Sequence, residues 1–378
     1  MYTDANDIFN GLFVLEMTNN HLGKLERGLR IVEEHAKIVR FNNVRAAIKL
    51  QFRDVDNFVH KDFTHRRDIR YINRTLSTKM SKQEFAILAK AIKENGCIPM
   101  STPWDERSVD LCVELDLPII KIASADINDW LLIEKIAATK KPVIVSNGGS
   151  SLKDMDDIVK FFKNRNIPLA INHCIAIYPS EDSELELNQI DFLRNRYPDN
   201  IIGFSTHEYT DWYSSILIAY AKGARTFERH IDINTDGAEI AKYSSLPEQI
   251  DAWFKAYKKA IEMCGAAGVQ LRILQQKEIK HLDTYVRGLY AKRSLSKGYK
   301  LTSGSLNTDI YAAIPLQKGQ ISCRELMYGE VLLKDIKQDQ PIMIDDIDSP
   351  YAKNEFLKKT IYDRGLAVVE NGEKKSSK

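Results

Sequence analysis

Short apolar runs in the first 264 residues end on side chains that bind anions, ligate metals or move protons. The run 12–16 (LFVLE) ends in Glu16 and is followed by Asn19, Asn20 and His21. The run 45–51 carries Lys49 and Gln51, and 97–101 ends in Ser101, with Thr102 next. The run 118–123 carries Lys121 and is followed by Ser124, while 142–146 ends in Ser146 before Asn147, Gly148 and Gly149. The run 168–173 ends in His173, with Tyr178 in the loop beyond, and 201–205 ends in Ser205, two residues before His207. The run 225–229 holds Glu228, and His230 follows it. Serine and threonine are common helix N-caps, so one such ending says little. Eight in succession point to a single site assembled at strand ends.

Two chemistries can be built from this set. Lys49 and Lys121 alternate with apolar neighbours, which turns both toward one face of their strands. A buried ammonium is costly without a counter-charge. Two of them suggest a bound phosphate or carboxylate, with Thr102, Ser124, Ser146 and Ser205 as hydroxyl donors; the alternative is pairing with a carboxylate such as Glu16 or Glu228. The second chemistry is a metal site. His207 and His230 end neighbouring strands, and imidazoles in oxygen-rich surroundings suit Mn²⁺ or Mg²⁺ acting as a Lewis acid on a carbonyl. The alternative is a pair of hydrogen-bonded core histidines. His173 is a substrate donor or a satisfied core histidine, and Cys97 and Cys174 read as core. The stretch 147–151 (NGGSS) is an anion cradle or simply a turn and an N-cap. Arg66, Arg67, Arg70 and Arg74 form a basic cluster, either a solvated face or a cover over an acidic substrate.

The elements that must position these groups repeat as a short β-branched run followed by an amphipathic segment. Helical patterns fall at 24–39, 82–95, 105–116, 129–138, 151–164, 186–195, 212–222 and 247–264. Eight strand–helix units over 11–264 predict a closed (β/α)₈ TIM barrel, a fold of about 250 residues. The rival, a doubly wound open sheet, is disfavoured because no GxGxxG follows the first strand. Its one irregularity is 52–80, too long for a simple βα loop and a candidate lid. The barrel domain is expected over 1–264 and a linker over 265–284. A small β-rich domain is expected over 285–350, where KRSLSKGYKLTSGSL from Lys292 and LKDIKQDQPIMIDDI from Leu333 look like copies. A tail over 351–378 follows, polar and disordered from Gly365 on.

Composition narrows the function. The chain has 378 residues, 44% hydrophobic and 28% charged, with 54 Lys plus Arg against 52 Asp plus Glu and a net charge of +2. That balance argues against a dedicated nucleic-acid binder. No run reaches the ~18 apolar residues of a membrane span. The polar, acidic stretch 1–10 is not expected to act as a secretory signal. Five scattered cysteines, never in CxxC spacing, suit a reducing cytoplasm.

At these residues the sequence resembles the sialic acid synthase (N-acetylneuraminate synthase) family, a TIM barrel followed by an antifreeze-like (SAF) domain. The resemblance covers about 11–350. The family's AEIGxNHNG is similar to LEMTNNHLG, with Glu16, Asn20, His21 and Gly23 in matching places. KFQ reads KLQ at 49–51, STPFD reads STPWD at 101–105, and KIASGD reads KIASAD at 121–126. HCxxxYP reads HCIAIYP at 173–179, GYSDH reads GFSTH at 203–207, and EKH reads ERH at 228–230. The resemblance implies that phosphoenolpyruvate condenses with an N-acetylmannosamine-like sugar aldehyde to give a nine-carbon 2-keto acid and phosphate. It implies Glu16 as the acid/base or water-orienting carboxylate and His207 and His230 as ligands of a divalent metal, Mn²⁺ or Mg²⁺. Lys49, Thr102, Lys121, Ser124, Ser146 and Ser205 would surround phosphoenolpyruvate. Gln51, Asn20 and Tyr178 would face the sugar. Arg287, matching the family's RRS, would reach a partner's site in a domain-swapped homodimer. The departures are Thr206 for an aspartate, with Glu208 after His207, Ala176 for an asparagine, and EIAKYSSL at 239–246 where the family often has PDH. They leave open a different or phosphorylated aldose, or an inactive sugar-acid-binding relative.

Overall fold

A computed structural model describes residues 8–234, 237–265 and 271–367. Most of the N-terminal stretch 1–10 and the end of the polar tail lie outside the described residues. Contacts divide the chain into two units, Met1–Gly265 and Ala266–Lys378.

The first unit is a closed barrel of parallel strands: β1 (Leu12–Glu16), β2 (Arg45–Phe52), β3 (Ile98–Pro103), β4 (Ile119–Ile122), β5 (Val143–Ser146), β6 (Leu169–Cys174), β7 (Ile201–Thr206) and β8 (Thr226–Ile231). Each strand pairs with the next, and β8 pairs with β1 to close the ring. A short ninth strand that the sequence pattern did not suggest, β9 (Ser244–Ser245), adds to β8. Helices α1 (Leu25–Asn42), α2 (Val55–Phe58), α3 (Arg70–Ser77), α4 (Lys82–Glu94), α5 (Glu106–Glu114), α6 (Trp130–Ala138), α7 (Leu152–Lys163), α8 (Asn188–Arg196), α9 (Ser214–Ala221) and α10 (Pro247–Cys264) follow the strands. Their starts are encoded locally: Ser81 and Ser151 form capping boxes with Glu84 and Asp154, satisfying orphan N–H groups of the first turn. The expected lid at 52–80 contains α2, a single 3₁₀ turn and α3, so it is a folded insertion.

Strand alternation divides the core in two. Phe13, Leu15, Ile48, Leu50, Val143, Val145 and Phe227 point outward and pack under the helices. Leu12, Val14, Ala47, Met100, Ile119, Ile144 and Ala170 point inward and, with Phe9, plug the lower lumen. One pleat further along each strand, the inward rows turn polar: Val14 leads to Glu16, Ala47 to Lys49, Ile119 to Lys121 and Ile144 to Ser146. The apolar plug therefore forms the floor of the polar site.

The second unit has α11 (Gln276–Asp283), β10 (Gly288–Ala291) paired with β11 (Ile310–Ala313), and β12 (Val331–Leu332) paired with β13 (Ile347–Asp348). The two sequence copies pair with each other. Leu295 and Ile336, equivalent in the copies, exchange both backbone hydrogen bonds at 2.8 and 2.9 Å. The Gly298 N–H donates to the Leu332 carbonyl, and the equivalent Asp339 N–H to the Ala291 carbonyl, each at 2.8 Å. Gly298 and Asp339 both have positive φ. An internal two-fold thus organises a core of Leu289, Leu295, Leu301, Ile336, Ile342 and Ile347. The expected tail from 351 is corrected: α12 (Pro350–Lys353) and α13 (Glu355–Tyr362) belong to this unit, and Ile361 is buried in its core. Among the described residues, no helix is long and apolar enough to cross a membrane.

Gly203 marks the tightest point of the lumen. A Cβ there would lie 1.8 Å from Thr226 Oγ1 and 2.2 Å from Asn172 Oδ1. Gly203→Ala is expected to destabilise the barrel by at least about 2 kcal/mol through overpacking. The urea midpoint reads this out, and an unchanged midpoint would contradict the packing described.

Candidate active site

The inward polar rows meet in a network of four buried charges. Lys49 Nζ contacts a Glu16 carboxylate oxygen, lies 2.8 Å from Glu228 Oε1 and donates to Thr102 Oγ1 at 3.0 Å. Lys121 Nζ donates to Ser146 Oγ at 2.7 Å and to the Ile122 carbonyl at 2.9 Å, with Glu228 Oε2 4.0 Å away. The register causes this, because β1 lies between β2 and β8 and sets Glu16 level with Lys49 and His230. The carboxylate alternative raised for the lysines thus holds for Lys49. Lys121 has hydroxyl and carbonyl partners but no close carboxylate.

The electrostatics follow from that difference. Burial alone would lower Lys49, but the Glu16 and Glu228 carboxylates overcome it and hold its proton firmly. Burial dominates at Lys121 and pushes it down, with Glu228 too distant to compensate. Burial would raise Glu228, yet Lys121 and Lys49 together hold it low. Burial raises Glu16 against the pull of Lys49, and the negative charge of Glu228 adds to the rise. An anion beside Lys121 would relieve its incomplete compensation.

The remaining hydroxyls line the same lumen. Ser124 Oγ accepts the Gly148 N–H at 3.0 Å, and Asn147 Oδ1 accepts the Cys174 N–H at 3.0 Å. A Cβ on Gly148 would lie 2.8 Å from Ser124 Oγ and 3.0 Å from the Ala176 methyl. Ala176 thus packs against this turn where the family has an amide. Ser205 is level with both Cys174 and Glu228. Cys174, read as core from the sequence, is buried beside Lys121, Ser124 and Ser205, so it lines the site. His173 points the other way, its Nε2 2.8 Å from the Leu185 carbonyl, which is the satisfied-core alternative.

His207 and His230 come together with ring centroids 5.2 Å apart. Tyr178 packs on His207 at 3.9 Å, and Tyr243 lies 5.1 Å from His230. Burial lowers His207 to about 4 and holds His230 well below its ordinary value, so both imidazoles are neutral and have lone pairs to offer. His207 Nδ1 is 2.9 Å from the Ile175 carbonyl, which fixes the other nitrogen as the acceptor. His230 Nδ1 is buried without a hydrogen-bond partner. Two adjoining neutral imidazoles with an orphaned nitrogen fit a divalent cation that takes its other ligands from substrate and water. Among the described residues, no group of three or more His, Cys, Asp or Glu side chains is placed to hold a metal ion.

Other candidates have structural tasks. Asn20 Nδ2 donates to the Ile231 carbonyl at 2.8 Å and Ser244 Oγ at 3.2 Å, tying the β1 exit to β8 and β9. Gln51 Nε2 donates to Glu16 Oε1 at 3.3 Å. Arg287 belongs to the second unit, in a cavity lined also by Arg324, Arg364 and Ile279.

Several participants escaped the sequence reading. Arg53 continues the row Lys49, Gln51 and stacks on Trp104 at 4.5 Å; the two-residue period was the available signal. Asp126 is buried, with Oδ2 unpartnered, and burial followed by repulsion from Asp129 raises it to about 7. Glu208 pairs with Arg229 at 2.7 Å, both side chains about 2% exposed or less. Thr206, in the place of the family's aspartate, is level with Arg229, so the carboxylate has moved two residues along the chain.

Asp126 gives a pH prediction. Its folded pKa exceeds the ordinary 3.8, so the folded state holds the extra proton between about 4 and 7. Stability should therefore fall as pH rises through that window. Asp126→Asn should be more stable than the parent at pH 8, by at most about 4 kcal/mol, with the gap closing toward pH 4. Parallel thermal melts across pH would reject this by keeping a constant gap.

The comparisons with known proteins agree with this geometry. The model described as the NeuB family matches residues 38–268. The crystal structure of a Chromobacterium violaceum protein described as spore coat polysaccharide biosynthesis protein E superposes with a TM-score of 0.86 at 35% identity, covering 90% of this chain and 100% of that one. The N-acetylneuraminate-9-phosphate synthase of Drosophila melanogaster is 24% identical over 89% of this chain and 98% of its own. The N,N'-diacetyllegionaminic acid synthase of Campylobacter jejuni is 29% identical over 64% of this chain and 71% of its own.

Proposed function

Because the chain belongs to the NeuB family, we propose that it condenses phosphoenolpyruvate with the open-chain aldehyde of an N-acetylmannosamine-like sugar. The products are a nine-carbon 2-keto sugar acid, a nonulosonic acid, and inorganic phosphate. The observation that carries this reading is the meeting of an under-compensated Lys121, a lysine-bound Glu16 and two neutral imidazoles at one barrel mouth.

In this reaction C3 of phosphoenolpyruvate bonds to the aldehyde carbon, the aldehyde oxygen takes a proton, water adds at C2 and phosphate leaves. Lys121, with Ser146, Ser205, Thr102 and Ser124 around it, would hold the phosphate and carboxylate oxygens. Lys49 fixes the Glu16 carboxylate, and burial raises the basicity of Glu16, which suits it to orient water and accept its proton. Gln51 binds Glu16 from the rim. Tyr178, packed on His207, would cover the sugar. A divalent cation, Mn²⁺ or Mg²⁺, would be held by His207 and His230 and supply Lewis-acid polarisation of the aldehyde oxygen when bound.

The second unit we read as an antifreeze-like domain whose Arg287 serves the barrel of a partner in a domain-swapped homodimer. The unpaired cysteines, three of them buried, support work in a reducing cytoplasm.

Purified protein given phosphoenolpyruvate, Mn²⁺ and N-acylhexosamines should release phosphate and form a 2-keto acid of matching mass. Chelation should stop turnover and added Mn²⁺ restore it. His230→Ala should lower kcat roughly 10³-fold, about 4 kcal/mol of barrier, with unchanged far-UV circular dichroism. Undiminished activity in that variant would remove the metal assignment.

A further inference from the structure

Two guanidinium groups at the barrel rim lack the counter-charge that nearby cations have. Arg27 pairs with Asp232, Arg66 with Asp68, Lys79 with Asp56 and Arg229 with Glu208. Arg53 and Arg74 have only amide oxygens. Arg53 donates to Gln51 Oε1 at 3.0 Å and to Asn19 Oδ1 at 3.3 Å. Arg74, from α3 in the inserted segment, reaches Asn20 Oδ1 at 3.5 Å. Among the described residues, no carboxylate oxygen lies within 4.0 Å of either.

Arg53 is held firmly in this unpaired state. It lies over the Trp104 ring at 4.5 Å and the Phe58 ring at 5.8 Å, and its Nε is buried without a partner. Burial, opposed by the more distant Glu16 carboxylate and reinforced by the positive charge of Arg74, lowers it to about 10. The two cations repel each other, yet adjacent amides, Asn19 and Asn20, hold both at one place. A small cavity lined by Asn19, Gln51, Arg53, Thr75 and Lys79 adjoins them. A stacked, fixed guanidinium such as Arg53, with a second guanidinium beside it and donors free of carboxylates, is suited to gripping a planar or tetrahedral oxyanion.

We propose that Arg53 and Arg74 form a clamp for an anionic substituent of the aldose, phosphate or carboxylate, remote from its aldehyde. This rests on the condensing reaction above. Phosphoenolpyruvate is not the occupant, because Lys121 and the hydroxyls serve its anionic groups deeper in the lumen. The clamp lies on the rim, one side chain away from Glu16 through Gln51. That is where the far end of a sugar would extend.

The test compares three probes on one scaffold: a neutral N-acylhexosamine, its 6-phosphate and its 6-carboxylate. Full-length enzyme should prefer at least one anionic form by about tenfold or more in kcat/KM, the equivalent of one charge-assisted hydrogen bond. The favoured form identifies the anion. Arg53→Gln and Arg74→Gln should each raise KM for that form and erase the preference, leaving KM for phosphoenolpyruvate unmoved. Arg53→Lys, which keeps the charge, should retain part of it. Equal kcat/KM for all three probes would overturn the clamp while the condensing reading stands. So would variants that raise KM for phosphoenolpyruvate alone. No phosphate release with any probe would overturn the condensing reading, and the clamp with it.

Discussion

Everything at the barrel mouth depends on one buried arrangement, the chain of contacts Glu16–Lys49–Glu228–Lys121 inside the lumen. Taking four charges out of water costs several kcal/mol each, and only close pairing with further hydrogen bonds offsets this. The closed ring supplies both. Strand pairing fixes Glu16 level with Lys49, and closure of the ring sets β8, with Glu228, on the other side of β1. The apolar plug beneath offers these groups no polar partner, so below the mouth they pair with one another. The arrangement is formally neutral but uneven: Lys49 has two carboxylates close by, and Lys121 has one, 4.0 Å away. That unevenness leaves Lys49 tied to both carboxylates and Lys121 with its charge only partly offset.

Much of this was legible because a strand's two-residue period survives into the barrel without alteration. Glu16, Lys49, Lys121, Ser146, Glu228 and His230 all lie where an inward row runs from apolar to polar. What escaped notice falls where the period has no strand to carry it or where partners are distant in sequence. Arg53 follows the last strand residue and is aimed by stacking on Trp104. Asp126 lies in a 3₁₀ turn, where periodicity says nothing about direction. The packing of α12 and α13 rests on single side chains such as Ile361 in short charged helices, too few apolar positions to tell from a solvated tail.

The departures from the family pattern divide into one that is compensated and one that alters the site. Thr206 replaces an acid on β7, but Glu208 meets Arg229 from the following turn, and Ser215, Ser245 and Trp212 complete the enclosure. The strand next to His207 and His230 is therefore braced as firmly as a direct cross-strand pair would brace it. Ala176 is different. Its methyl group lies against Gly148, so packing occupies the place beside the turn after β5 where the family has a side-chain amide.

Charge at the mouth is graded by depth, and the grading has a mechanical cause. Deep in the lumen, β1, β2, β4 and β8 bring acids and bases together in fixed register, and the sum is zero. At the rim, side chains come from loops and from the inserted helix α3, where no register forces an acid opposite each base. Arg53 and Arg74 have no carboxylate within ion-pair distance there, and Asp126, which shares the field of Arg53 with Glu16, binds its proton up to about pH 7. The rim is thus positive over a neutral floor. A field of that shape favours the approach of anions to the opening, and among the deep cations Lys121, with its hydroxyl neighbours, is the one whose charge is least offset.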